Sequence, residues 1–192
     1  NEAGRELGMN GAVMQMFNHG TITAMLFILV GVIYDQAHHR WIVFPSDYED
    51  KELAGKPGFG GLGSQMPIYT GLIAFTFFAG LGLPGLSGFI SEAFCFLGGF
   101  SGDSVFQAIT VIGTLGILLN AIYFLRAYQR VFLGPLNEKY KSLKDMDRKD
   151  LMIIMPLALL TLLFGVYPQP LIDMISSAMN QIYLIIQPGV AY

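Results

Sequence analysis

One acidic side chain lies in a long apolar stretch of this sequence. Residues 71–100 carry a single formal charge, that of Glu92. Lipid does not solvate an ionised carboxylate, so an acid in such a stretch is a functional candidate by default. A desolvated carboxyl group is suited to taking up a proton and passing it on. We therefore predict that Glu92 relays protons; the alternative is a neutral glutamic acid hydrogen-bonded to a neighbouring helix.

A second group able to exchange protons, His19, lies near the middle of another apolar run, residues 10–34. Imidazole titrates near physiological pH, at about 6.5 when unperturbed. The alternative is a packed histidine that donates a hydrogen bond to a neighbouring carbonyl group. Because Glu92 belongs to the same predicted bundle, the relay interpretation of His19 is favoured.

Cofactor and metal sites are not predicted in this chain. The single cysteine, Cys95, excludes an internal disulfide framework and a cysteine-based metal or iron–sulfur site. His38 and His39 are sequence neighbours, so on a helix they point apart, and we interpret them as boundary or subunit-contact residues. Two G-x-G-x-x-G matches, at 58–63 and 80–85, neither follow a strand nor open a βαβ unit, as a dinucleotide fingerprint requires.

The composition predicts an integral membrane protein whose partner is the lipid bilayer. Of 192 residues, 53% are hydrophobic and 13% are charged, and the mean hydropathy is +0.52. Soluble domains carry about 25% charged residues. The net charge of −3 gives no indication of a nucleic-acid partner.

The apolar runs predict an all-α protein with four transmembrane helices, the second discontinuous, and a C-terminal amphipathic helix. The second run is too long for one regular span, yet its halves are each too short for a full crossing. Glycines and Pro84 in its middle interrupt a helix, so one broken span fits best. The predicted single membrane region has spans at 10–34, 67–100 (broken near 80–88), 105–130 and 151–167, and the amphipathic helix at 171–187.

The positive charges check this count. With four spans, loops 35–66 and 126–150 fall on one side of the membrane, which the positive-inside rule makes cytoplasmic. That side carries ten of the eleven basic residues and leaves only Arg5 on the other: Arg40, Lys51, Lys56, Arg126, Arg130, Lys139, Lys141, Lys144, Arg148 and Lys149. Two complete crossings within 67–100 would place the basic loops on opposite sides, so the four-span interpretation is preferred.

Three stretches carry a resemblance to a known family: HGTITAMLFILVGVIYDQAHHR, MPIYTGLIAFTFFAGLGLPGLSGFISEAF and YFLRAYQRVFLGPLN. They resemble the M-type, or chain 4, antiporter-like subunit of respiratory complex I, the NADH–quinone oxidoreductase. The resemblance implies that the chain corresponds to the last four of fourteen transmembrane helices. It also implies that 67–100 is the discontinuous helix 12, that Glu92 is the terminal relay glutamate and that His19 is the relay histidine of helix 11.

By the same resemblance, the chain translocates protons as a subunit of an enzyme whose redox chemistry lies elsewhere. NADH, FMN, iron–sulfur clusters and quinone are expected in partner subunits, and neighbouring antiporter-like subunits are the expected contacts. The family's other essential groups, a glutamate on helix 5 and lysines on helices 7 and 8, lie upstream of residue 1, which suggests a fragment or a second chain. A bacterial inner membrane is the expected location.

Two other functions stay open. The same helices occur in related cation/proton antiporters and membrane-bound hydrogenases. A purely structural helix bundle, with no transport role, is the alternative from a different class. The identity of the co-purifying subunits distinguishes the first, and replacement of Glu92 distinguishes the second.

Overall fold

The computed structural model describes residues 2–42 and 58–186, and within those ranges it contains helices and no strand. Residues 43–57 of the first loop, with the basic residues Lys51 and Lys56, and the predicted helix end at residue 187 lie outside these ranges. The helices are α1 (Glu2–Ala37), α2 (Leu62–Gln65), α3 (Pro67–Gly80), α4 (Ser87–Phe100), α5 (Ser104–Phe132), a 3-10 turn (Glu138–Tyr140), α6 (Arg148–Val166) and α7 (Gln169–Ile186). The predicted all-α fold is confirmed.

Helices of two lengths make up the apolar bundle. Among the described segments, α1, α5 and α6 are long and apolar enough to cross a membrane, whereas α3 and α4 have 14 residues each. A helix of 14 residues reaches about 21 Å at 1.5 Å per residue, short of the roughly 30 Å hydrocarbon core. Neither α3 nor α4 therefore crosses alone.

Helices α3 and α4 follow one line along α1, in the opposite direction. The hydroxyl group of Tyr69, at the start of α3, donates to the carbonyl oxygen of Leu29 at 2.9 Å. The Nδ2 of Asn18, earlier in α1, donates to Ser91 Oγ of α4 at 2.9 Å. Asn18 is nearer the N-terminus of α1 than Leu29 is, whereas its partner Ser91 comes later in the chain than Tyr69. Helices α3 and α4 therefore both run antiparallel to α1. The two halves thus form one discontinuous span, as the sequence predicts.

The break between the halves occupies residues 81–86, inside the stretch 80–88 predicted from its glycines and proline. Gly82 has a φ of 67°, in the left-handed region that favours glycine and ends helices. Pro84 follows two residues later and lacks the N–H that a continuing helix would use. Helix α4 begins at Ser87.

Close packing holds α1 against α4 on the side of α1 that carries its small residues. A Cβ atom on Gly11 would lie 2.7 Å from the backbone nitrogen of Cys95. Met14 and Asn18, at one-turn spacings from Gly11, are fully buried at this contact. Gly11 and Asn18 thus face α4, and small residues at such a contact let two helices approach closely.

The loop before α6 contacts the last turn of α1 at one end of the bundle. Gln36 Nε2 donates to the carbonyl oxygen of Lys144 at 2.9 Å, and Lys144 N donates to Gln36 Oε1 at 2.8 Å. Asp145 caps α3 by accepting from the backbone N–H groups of Ile68 and Tyr69 at 2.8 and 2.9 Å. The described parts of the two loops therefore lie at the same end of the bundle, which supports the charge argument.

His39 is part of this loop contact. Its Nε2 and the Tyr140 hydroxyl are 2.8 Å apart, and its ring stacks on Phe59 with a centroid separation of 4.7 Å. Burial lowers the pKa of the His39 imidazole below its ordinary value, and the charge of Lys139 lowers it further. His39 thus connects the two loops within the chain.

Two helices differ in extent or placement from the sequence expectation. Helix α1 starts at Glu2, eight residues before the predicted span, so the polar residues that precede the apolar run are also helical. The amphipathic helix α7 packs on the first turns of α1, where Asn10 Nδ2 donates to Ser176 Oγ at 2.8 Å and Ile175 is buried. The apolar face of α7 therefore packs, at least in part, on α1 of the same chain.

Candidate functional site

Glu92 and His19 line the same cavity. The cavity lies between α1, α4 and α5, beside the break, and has a volume of about 590 Å³. Its side chains are mostly apolar, with a few polar groups: Gln15, His19, Ile22, Thr23, Leu26, Glu92, Phe96, Ile117, Leu119, Asn120, Tyr123 and Phe124, with Gly80, Gly113 and Gly116. The structure thus brings together the two groups selected from the sequence.

The carboxylate of Glu92 lies directly against the broken turn. A Cβ atom on Gly82 would lie 2.5 Å from Glu92 Oε2, so the absence of a side chain at that position makes room for the carboxylate. Glu92 is half-buried. No lysine or arginine lines the cavity in the described ranges, and Glu92 forms no ion pair there. Within those ranges no positive charge offsets an ionised carboxylate at this position.

His19 reaches the cavity through the helical spacing of α1. Gln15, His19 and Thr23 are four residues apart, so they form one stripe on the cavity side of the helix. Thr23 Oγ1 donates to the carbonyl oxygen of His19 at 2.6 Å, which satisfies the hydroxyl group within the helix. The side chain of His19 is exposed within the described chain.

A buried polar cluster lies behind Glu92, between α1 and the first turns of α4. Asn18, which is 0% exposed, donates from Nδ2 to the carbonyl oxygen of Ser87 at 2.8 Å and to Ser91 Oγ at 2.9 Å. Ser91 Oγ in turn donates to Gln15 Oε1, which belongs to the cavity wall. Asn18 Oδ1 and Ser87 Oγ have no partner among the described residues, and such atoms are commonly satisfied by bound water.

Helix α5 closes the other side of the cavity and contacts the break. Asn120 Nδ2 donates to the carbonyl oxygen of Gly80, the last residue of α3, at 2.8 Å. Its Oδ1 is buried without a partner in the described part of the chain. The sequence analysis assigned no role to Asn120, Gln15 or Ser91. Their signal was a polar side chain within an apolar run.

The site offers proton exchange and hydrogen bonding. No three His, Cys, Asp or Glu side chains converge as possible metal ligands within residues 2–42 and 58–186. The Glu92 carboxyl and His19 imidazole groups can each bind and release a proton, and the amide and hydroxyl groups around them can order water. This is the chemistry of a proton path through an apolar region.

Comparisons with known proteins agree with this picture. Residues 3–119 match a family described as "NADH:quinone oxidoreductase/Mrp antiporter, TM". NADH-quinone oxidoreductase subunit M of Rhodobacter capsulatus is 39% identical over 90% of this chain, and NAD(P)H-quinone oxidoreductase chain 4 1 of Synechococcus elongatus is 38% identical over 85%. These alignments cover 31% and 29% of the two relatives, so the chain spans about a third of their length.

A solved structure shares the fold. A chain of respiratory complex I from Thermus thermophilus with bound NADH superposes with a TM-score of 0.71 at 26% sequence identity. The superposition covers 91% of this chain and 34% of the Thermus chain. The helix arrangement described above is therefore that of a known membrane subunit, including the part of the chain beyond residue 119.

Proposed function

This chain belongs to the NADH:quinone oxidoreductase/Mrp antiporter family of transmembrane proteins, and we propose that it translocates protons as part of the membrane arm of an NADH–quinone oxidoreductase. The observation that carries the proposal is the shared cavity: two proton-exchanging groups, Glu92 and His19, line one space beside a broken helix. The family membership and the matched relatives support the choice of the oxidoreductase over an unrelated transporter.

In the proposed mechanism a proton reaches the His19 imidazole and then moves through cavity water to the Glu92 carboxylate. Neutralisation removes the cost of a charge in an apolar setting, and release of the proton toward the outer face restores the carboxylate. The break helps because residues 81–86 lack part of the regular helical hydrogen bonding, and backbone groups freed in this way face protein or water.

The redox chemistry belongs to other subunits in this proposal. NADH oxidation and quinone reduction, with FMN and iron–sulfur clusters, take place in partner subunits, and this chain binds no redox cofactor. Neighbouring antiporter-like subunits of the membrane arm contact it. The membrane is a bacterial inner membrane, with the basic loops 35–66 and 126–150 in the cytoplasm.

Replacement of Glu92 tests the proposal. In sealed vesicles containing the native assembly, Glu92→Gln keeps the size of the side chain but cannot ionise, so NADH-driven proton pumping should fall at least about tenfold. Glu138→Gln is the matched control, because Glu138 is exposed in a loop where it pairs with Lys141, and it should pump normally. Unchanged pumping in Glu92→Gln would favour a structural bundle instead.

The family also contains antiporters, and this second candidate has its own test. The assembly is purified from native membranes, and its co-purifying subunits are identified. Flavin- and iron–sulfur-containing partners are expected and would exclude a cation/proton antiporter. Partners without redox centres would support the antiporter.

A further inference from the structure

Two asparagines hold the two edges of the break, one from each flanking helix. Asn120 of α5 donates from Nδ2 to the carbonyl oxygen of Gly80, where α3 ends, at 2.8 Å. Asn18 of α1 donates from Nδ2 to the carbonyl oxygen of Ser87, where α4 begins, at 2.8 Å. The carbonyl group of Gly80, at the C-terminal end of α3, lacks its regular helical partner, so the Asn120 amide replaces a lost hydrogen bond. The carbonyl group of Ser87, in the first turn of α4, can accept within its own helix, so the Asn18 amide adds a second contact there.

Only one of the two asparagines belongs to the cavity. Asn120 lines it together with Glu92, whereas Asn18 is fully buried behind α4. Asn120 fixes Gly80, and Gly82, two residues further along the same turn, lies against Glu92 Oε2. A short line of contacts thus runs from the α5 amide through the broken turn to the carboxylate.

We propose that Asn120 is a positioning residue for Glu92, which it serves by fixing the broken turn against which the carboxylate lies. The inference rests on the proposed proton-relay role of Glu92 and adds a residue to it. The Asn120 Oδ1 atom, buried and without a partner in the described ranges, supplies a hydrogen-bond acceptor on the same wall. The other titratable groups around Glu92 are His19 of α1, Cys95 of α4 and Tyr123 of α5.

The test uses Asn120→Thr, a change that α5 can accommodate. Thr110 and Thr114 on the same helix already donate to carbonyl groups of the preceding turn, at 2.7 and 2.6 Å. A threonine at position 120 can do the same, so the variant loses the contact with Gly80 without leaving a buried hydroxyl group unpaired. Gln107→Thr is the matched control, because Gln107 is an α5 amide that does not line the cavity and that donates to the carbonyl oxygen of Phe100, the last residue of α4, at 3.1 Å.

The readout is labelling of Glu92 by a hydrophobic carbodiimide, which reacts with protonated carboxyl groups in apolar surroundings. The native assembly in its membrane is labelled at a series of pH values, and the Glu92 peptide is quantified by mass spectrometry. Release of the turn lets water solvate the carboxylate. In Asn120→Thr we expect labelling at neutral pH to fall about fivefold, the factor that corresponds to one hydrogen bond. In Gln107→Thr the labelling should match that of the wild type.

A wild-type labelling profile in Asn120→Thr, or an equal change in both variants, would overturn the proposal. If Asn120→Thr does not assemble, Asn120→Gln takes its place: it keeps the amide but displaces it by one methylene group, and the same loss of labelling is expected. The labelling measurement does not depend on whether the assembly pumps protons. If Glu92→Gln pumps normally, the proposed function fails, whereas the labelling comparison still decides whether Asn120 positions Glu92.

Discussion

At the scale of single residues, Glu92 and His19 could be selected from the sequence because each is a titratable group in an apolar run. Their shared cavity supports that selection. The contacts of Asn120 and Gln15 could not be predicted, because they depend on which faces of separate helices meet. Likewise, an apolar run with several glycines indicates a break, but it does not show that Gly82 leaves the space occupied by the Glu92 carboxylate.

A pair of glycine substitutions tests that space. Gly82 and Gly85 both have a positive φ, 67° and 95°, so alanine at either position costs about 1–2 kcal/mol of backbone strain. Only at position 82 would the new Cβ atom meet Glu92; at position 85 no atom lies within 4 Å. We therefore expect both variants to lose similar thermal stability, and Gly82→Ala alone to lose most proton pumping. Equal pumping would show that the carboxylate does not need this space.

His19 provides a second comparison at this scale. Cavity water can partly replace an exposed imidazole, whereas it cannot replace a carboxylate held against the broken turn. We expect His19→Ala to reduce pumping in vesicles less than Glu92→Gln does. The rate of NADH oxidation in uncoupled vesicles serves as the control for assembly. An equal or larger loss in His19→Ala would reverse the order of importance of the two groups.

At the scale of the elements, the N-terminus of α3 depends on a residue that is distant in sequence. Asp145 accepts hydrogen bonds from two backbone N–H groups there. Loss of a helix cap costs about 1 kcal/mol, so Asp145→Ala should lower the thermal unfolding temperature of the detergent-solubilised protein by a few degrees. Asp145→Asn, which keeps one acceptor, should lose less. If the two variants have the same unfolding temperature, the carboxylate oxygens of Asp145 do not stabilise α3 as a cap.

The N-terminus of α6 has a cap that responds to pH. Hydrogen bonds from the backbone N–H groups of Asp150 and Lys149 hold the pKa of the Asp147 carboxyl below its ordinary value of 3.8. The folded state thus binds this proton more weakly than the unfolded state does. The stabilisation is complete above that ordinary value and disappears as the pH falls through the lowered one. Unfolding temperatures measured from pH 6 to pH 3 should fall more steeply in the wild type than in Asp147→Asn.

At the scale of the whole molecule, the sequence predicted the number of spans and the relative placement of the loops better than it predicted individual contacts. Hydropathy and the distribution of basic residues predicted four spans with both basic loops on one side. The contact between His39 and Tyr140 shows that the described parts of these loops meet. The docking of α7 on α1 was less predictable, since an amphipathic period fits a lipid surface and a neighbouring helix equally well.

Labelling with a membrane-impermeant maleimide tests this topology. In a Cys95→Ser background, single cysteines replace the exposed residues His38, Ser142 or Ser104. We expect His38→Cys and Ser142→Cys to be labelled from the cytoplasmic side and Ser104→Cys from the opposite side. Labelling of the two loop cysteines from different sides would mean that residues 67–100 cross the membrane twice.

The discontinuity between α3 and α4 also separates the anchoring of the two halves. Asp145 ties α3 to the loop before α6, whereas Asn18 ties α4 to α1. A displacement of that loop would therefore act first on the N-terminus of α3, where Tyr69 also bonds to α1, whereas the start of α4 would keep its own contact with Asn18. The two halves of the span can thus respond differently to a change at that end of the bundle.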